Sequence, residues 1–226
     1  MKQEYIPWNR SAENKSTIIH HGISLPHVDP REKFNPRRKR RFFTGTGFPL
    51  IGMVGEMRKN QTELIDVAYH LKKRIGDFTI AFVGRGTDEE IRSMKDKIDR
   101  MGMTNNFIFT GRVDRKDIPD VLYDLDLSVT TNRHEPFGIV HIESLAAYTP
   151  VVAYNAGGPV EILEKGGGVL VDGGPEDMAE TLFKLVSNHD LIKSAGVAGR
   201  NAVEKYFSID AMGKKHQDFY SAILKS

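Results

Sequence analysis

From residue 50 onward the chain alternates between two hydrophobic rhythms. Short apolar runs rich in β-branched residues predict strands at Leu50–Val54, Phe78–Val83, Asn106–Thr110, Leu125–Thr130, Val151–Tyr154 and Gly168–Val171. Longer helix-period segments lie between them, over about 60–75, 88–101, 116–124, 138–147, 159–165 and 175–188. Two more helices, over about 189–205 and 208–224, close the chain. Strands alternating with helices imply crossover connections, hence a parallel sheet covered by helices on both faces. The expected fold class is α/β: a Rossmann-like, doubly wound parallel sheet of about six strands.

The first 49 residues follow neither rhythm. They hold one predicted strand, Ser16–His20, then Pro26, Pro30, Pro36 and Pro49 among many charges. We expect a basic connecting segment over 1–49 that leads into a domain over 50–226. Residues 1–41 carry ten Lys/Arg against four acids, a local charge of +6 within a net +2, which leaves −4 for the rest. The run Arg37, Arg38, Lys39, Arg40, Arg41 has two readings. It is a solvated linker, the reading favoured here, or a peripheral contact with anionic lipid or nucleic acid.

Composition narrows the class. With 39% hydrophobic and 27% charged residues, the chain can bury a substantial core. No apolar run is long enough to span a membrane, and the first residues lack the apolar centre of a signal peptide. The absence of cysteine excludes disulfides and thiolate metal sites and fits a cytoplasmic protein, with a membrane surface as a second setting. Asp77, Asp88 and Asp126 show no spacing that suggests a metal site, so none is expected.

Gly55, Gly84, Gly86 and Gly111 follow the first three predicted strands. Glycine at those turns lets backbone approach a ligand closely. All fall at carboxyl ends of strands, the edge where open α/β sheets bind ligands.

The densest chemistry lies in Glu135-Pro-Phe-Gly-Ile-Val-His-Ile-Glu143, after the fourth predicted strand. Pro136 suits a first helical position, which would place Glu135 at or beside the N-cap. Free N–H groups and the helix dipole would then favour an anion such as diphosphate. On one helix, Glu135 and Glu143 would lie roughly 12 Å apart along the axis and about 80° around it. Carboxylates bracketing a phosphate site at that spacing suit the hydroxyls of a nucleotide sugar. His134 belongs to the polar loop before this motif, and His20 and His21 to the connecting segment.

These residues, with Pro150-Val-Val-Ala and Gly157-Gly-Pro-Val-Glu161, resemble glycosyltransferase family four in order and spacing. The resemblance covers about residues 16–224, including an interdomain-linker-like Ile-His-His-Gly-Ile at 19–23. It implies the C-terminal, donor-binding domain of a retaining transferase, one half of a GT-B fold. It further implies that Glu135 binds the donor sugar's hydroxyls and Glu143 the ribose. Backbone N–H groups of Phe137, Gly138 and Ile139 would hold phosphate or sugar. Lys59, with Arg58, would neutralise the diphosphate. Gly111, Arg112 and Val113 would form the loop against the base, beside the strand-end glycines Gly55 and Gly84.

Two departures stand out. Family members usually carry arginine where this chain has Glu56, so Arg58 becomes the substitute cation. The usual amino-terminal acceptor domain is also missing from the sequence, so an acceptor domain is expected elsewhere in the same or another polypeptide.

The implied reaction moves a sugar from a UDP-, GDP-, ADP- or dTDP-sugar to a glycan, lipid or other hydroxyl acceptor, with retention and without metal. The family's proposed route is front-face attack, the departing phosphate taking the acceptor's proton. Two alternatives stay open: a donor-binding module inactive without an acceptor domain, and a non-hydrolysing sugar-nucleotide epimerase. A dehydrogenase is disfavoured because no Gly-x-Gly-x-x-Gly opens the first helix.

Overall fold

The computed structural model describes residues 16–225. They form two compact units: one spans Pro26–Val203, and the other joins residues 16–25 to the stretch that begins at Glu204. In the larger unit six parallel strands form one sheet: β1 (Leu50–Val54), β2 (Thr79–Val83), β3 (Phe107–Gly111), β4 (Leu127–Thr130), β5 (Val151–Tyr154) and β6 (Gly168–Val171). The order is β3-β2-β1-β4-β5-β6. The chain therefore builds outward from β1 on one side, then returns to build outward from β4 on the other. This is the doubly wound topology expected from the alternation of strands and helices.

The helices are α1 (Pro30–Lys33), α2 (Gln61–Lys72), α3 (Asp88–Arg100), α4 (Ile118–Asp124), α5 (Ile139–Ala146), α6 (Gly158–Leu163), α7 (Pro175–Val186), α8 (His189–Tyr206) and α9 (Ile209–Ile223). Strands of a sheet covered on both faces need apolar residues on both sides. Ile51, Met53, Ile80 and Phe82 face one way, into a core with Leu64 and Leu71 of α2 and Met178 and Leu182 of α7. Leu50, Ala81 and Val83 face the other way, against Val121 and Leu122 of α4.

The stretch 26–49 is not a solvated linker, and the compact unit starts at Pro26 rather than at residue 50. Lys33 of α1 is 2% exposed, and its ammonium donates to Tyr123 O and Leu125 O at 2.6 Å and to Thr149 Oγ1 at 2.8 Å. Burial, with the nearby Arg38 charge, pushes the Lys33 pKa well below the usual lysine value. Arg38 and Arg40 grip the two oxygens of Asp126, each at 2.8 Å, with all three side chains under 10% exposed. The Asp124 carboxylate accepts backbone N–H groups from Arg41, Phe42 and Phe43 at 2.7–2.8 Å. Arg41 stacks over the Tyr123 ring at 3.8 Å. Two arginines of one segment thus neutralise Asp126, and backbone N–H groups of the same segment satisfy Asp124, both buried just before β4. Arg38 and Arg40 are spent inside the fold, and only Arg37, Lys39 and Arg41 of the run reach the surface.

In the smaller unit, Ser16–His20 is not a strand. The backbone pairing falls later: Ile23 donates to Phe207 O at 2.9 Å and accepts from Ile209 N at 3.1 Å, a single parallel bridge to Ser208. Ser208 then caps α9 by accepting from Ala211 N.

Candidate functional site

Strand order reverses between β1 and β4, the position at whose carboxyl ends open α/β sheets bind ligands. The loop after β1 is Gly55–Asn60, and the loop after β4 is Thr131–Gly138. They are tied together at their bases: Thr131 Oγ1 donates to Asn60 O at 2.6 Å, and Asn60 Nδ2 to Thr131 O at 3.2 Å. Across them Lys59 Nζ lies 2.8 Å from Glu135 Oε2, and Asn132 Nδ2 reaches the same oxygen at 3.3 Å. The Glu135 side chain is only 12% exposed, so its charge is held by these donors rather than by water.

The helix after Glu135 begins later than Pro136 suggests. Gly138 is its N-cap, in the left-handed region at φ 91°, and Ile139 is the first helical residue. Pro136 and Phe137 form a bend because Phe137 is buried and Gly158 N–H donates to Glu135 O at 2.7 Å. Glu135 therefore lies ahead of α5 and not on it, and the helical separation of roughly 12 Å and 80° does not describe the pair. The anion-binding character survives this correction. Ile139 and Val140 open α5, and their N–H groups have no acceptor within the helix.

Glu143 sits one turn further along α5, its side chain 28% exposed. Burial raises its pKa, and the Arg115 guanidinium at 3.9 Å offsets only part of that.

The three strand-end glycines lie side by side along the sheet edge. Gly55 N–H donates to Val83 O at 2.8 Å, and Gly84 N–H to Gly111 O at 3.0 Å. Gly84 has φ 145°, and a β-carbon there would collide with the Gly55 carbonyl. Glycine is required at that position by the closeness of the two loops. Above them opens a cleft of about 390 Å³, lined by Gly55, Glu56, Gly84, Arg112, Val113 and Ile118 among others.

Arg58 pairs with Glu56. Its Nε lies 2.6 Å from Glu56 Oε2, while Arg85 Nη2 lies 3.0 Å from Glu56 Oε1. The Arg85 and Arg58 hydrogen bonds hold the Glu56 carboxyl below the usual glutamate range. The sequence singled out Arg58 for this cluster and missed Arg85, whose position after Gly84 was the available signal.

Three more residues that the sequence did not flag brace the β4 loop. The Arg133 guanidinium stacks 3.3 Å from the Tyr154 ring centroid and reaches Glu63 at 3.3 Å and Gly173 O at 3.0 Å. Tyr154 donates its hydroxyl to the same Glu63 oxygen at 2.7 Å, and burial followed by this bond raises the phenol pKa. His134 is exposed, whereas His141 on α5 is buried. Among the described residues, no group of three or more His, Asp or Glu side chains could hold a metal ion.

Residues 36–202 match the family model for glycosyl transferases group 1. The chain belongs to that family. A 2-deoxystreptamine N-acetyl-D-glucosaminyltransferase of Niallia circulans is 27% identical over 73% of this chain and 42% of its own length. A phosphatidyl-myo-inositol mannosyltransferase of Mycobacterium leprae is 30% identical over 69% of this chain and 41% of its own length. This group 1 chain thus spans less than half the length of those curated relatives. Among solved structures, Anabaena HepE in complex with UDP and glucose superposes with a TM-score of 0.79 at 20% identity, over 98% of this chain and 60% of HepE. The C-terminal domain of the glycosyl transferase group 1 protein LpcC from Francisella tularensis superposes with a TM-score of 0.69 at 24% identity, over 83% of this chain and all of that one. The fold is that of the C-terminal domain of a GT-B glycosyltransferase. No helix among the described residues is long and apolar enough to cross a membrane.

Proposed function

We propose that this chain is the donor-binding half of a retaining glycosyltransferase that takes a nucleoside-diphosphate sugar. The observation that carries the reading is the Lys59–Glu135 pair beside the N-terminus of α5, at the point where the strand order reverses. A cation and a carboxylate in contact beside helix N–H groups that have no acceptor within α5 support the reading. Family membership supports sugar transfer as the chemistry, and HepE, of the same fold, was crystallised with UDP-glucose.

In this reading Lys59 and the α5 N-terminus hold the diphosphate and stabilise the charge that develops as it departs. Glu135 accepts hydrogen bonds from sugar hydroxyls and fixes which face of the anomeric carbon meets the acceptor. Glu143 accepts from the ribose, and the cleft at Arg112 and Val113 receives the base. Arg58 and Arg85, paired to Glu56, form the outer cationic rim. Bond cleavage passes through an oxocarbenium-like state, and the acceptor's proton goes to the departing phosphate, so no metal is written into the scheme.

A second reading has a specific observation behind it. This reading makes the chain a donor-binding module that transfers sugar only with an acceptor domain beside it, and what favours it is that the match spans 41–46% of the length of three of the curated relatives. Calorimetric titration with UDP-, GDP-, ADP- and dTDP-sugars tests both. Micromolar binding of at least one is expected, and failure with all four sinks both. Adding acceptors and following product separates transferase from module.

A further inference from the structure

His141 is the third residue of α5 and is 2% exposed. Neither ring nitrogen has a hydrogen-bond partner among the described residues. Burying an unpaired imidazole is costly, and its neighbours Ile142 and Leu145 show that α5 otherwise buries apolar side chains. Helical side chains lean back toward the helix start, and this one lies under Gly138. A β-carbon at Gly138 would stand 2.7 Å from His141 Nε2 and 3.3 Å from Glu135 Cγ. The missing side chain at Gly138 is what lets the ring nitrogen and the Glu135 side chain converge on one point. Burial holds the ring neutral, pushing its pKa down to about 4, and the Glu135 charge offsets only part of that. A neutral imidazole keeps one N–H to donate.

The Lys59 ammonium cannot serve Glu135 and a diphosphate equally. Drawn to the phosphates, it leaves a carboxylate that is 12% exposed with Asn132 as its remaining donor. Resting on the donor-site reading above, we propose that His141 is a positioning residue whose ring N–H takes over Glu135 as the diphosphate draws Lys59 away. The replacement bond holds the carboxylate toward the sugar. Because the imidazole is neutral, it replaces the ammonium without competing for the phosphates.

The test uses the full chain and the sugar nucleotide that binds it, beside the matching bare nucleoside diphosphate. His141→Leu is expected to weaken sugar-nucleotide binding about tenfold, the scale of one hydrogen bond to a charged group. The bare diphosphate should bind within about twofold of wild type, since with no sugar over the Glu135 carboxylate water can solvate it once Lys59 leaves. His141→Gln, which restores a donor, should recover most of the loss. In a Glu135→Ala background the His141→Leu effect should vanish. Nitrogen-15 histidine spectra of the wild-type chain give a readout that needs no variant: the sugar nucleotide should shift the His141 ring N–H signal to that of a hydrogen-bonded donor. Unchanged sugar-nucleotide affinity in His141→Leu, or a ring signal unmoved by binding, overturns the proposal. Wild type that binds no sugar nucleotide overturns it together with the donor-site reading.

Discussion

The Lys59 ammonium lies 2.8 Å from Glu135 Oε2, so the loops after β1 and β4 meet through one ion pair at the switch point of the sheet. With Lys59 40% exposed, the pair adds little to stability, at most about 1 kcal/mol. Its consequence is competition: a diphosphate must take the ammonium from the carboxylate. Lys59→Ala should weaken nucleoside-diphosphate binding by about tenfold or more, the scale of a charge-assisted contact, with a modest fall in melting temperature because the 12%-exposed Glu135 keeps Asn132 as its remaining side-chain donor. Glu135→Ala should lower affinity for the sugar nucleotide yet leave the bare diphosphate bound as well as before or tighter. A parallel loss for both ligands in Glu135→Ala would contradict the assignment of that carboxylate to the sugar.

Glu143 makes a prediction of opposite sign in stability and in binding. Burial raises its pKa, with Arg115 offsetting part, so the folded chain binds that proton more tightly than the unfolded chain. Stability is therefore lost as pH rises above the unfolded glutamate value, 4.5, and the charge penalises folding at neutral pH. Glu143→Gln should melt higher at pH 7 and the same as wild type at pH 3. If the carboxylate accepts from ribose, the same variant should bind ribonucleotides about tenfold more weakly. Its loss on 2′-deoxyribonucleotides should be smaller.

The cluster around Asp126 predicts a large stability effect outside the candidate site. Burial alone would raise its pKa, but Arg40 and Arg38 overcome that and hold it below the usual aspartate value. Asp126→Ala leaves two guanidinium groups, each under 10% exposed, without their acid. Urea unfolding should show a loss of about 3–5 kcal/mol, as for breaking a buried pair from one side. Since the folded pKa is depressed, the native contribution is present above 3.8 and is lost as pH falls through the folded value.

That cluster also explains what the sequence concealed. The strands were legible because parallel strands covered on both faces read as short β-branched runs, and β1, β5 and β6 lie where those runs do. The order of the Glu135–Glu143 motif was legible as a family pattern. The stretch 26–49 was not, because it folds through charged side chains whose partners, Asp124, Asp126 and Thr149, lie more than 80 residues away. A run such as Arg37–Arg41 reads as solvated when its counter-charges are distant in sequence. The start of α5 was misplaced for a related reason. Pro136 fits a first helical turn locally, but the long-range bond from Gly158 N–H to Glu135 O and the buried Phe137 ring hold it in a bend.

His141 predicts the shape of the acid limb of stability. Burial lowers its pKa from 6.5 to about 4, so the unfolded chain takes up this proton first as pH falls. The stabilisation is complete above 6.5 and is lost progressively down to about 4. At 1.36 kcal/mol for each unit of pKa, the loss is about 3 kcal/mol. Glu143 acts with the opposite sign above 4.5, and Glu56 and Asp126 act below their unfolded values of 4.5 and 3.8. The difference between wild type and His141→Leu isolates the histidine, since those three groups titrate in both. Urea unfolding from pH 4 to 7 should show the variant gaining on wild type steadily as pH falls below 6.5. The curves should run parallel above pH 7. Curves that stay parallel down to pH 4 would mean that the ring is already protonated in the folded chain, and the unpaired neutral imidazole would have to be abandoned.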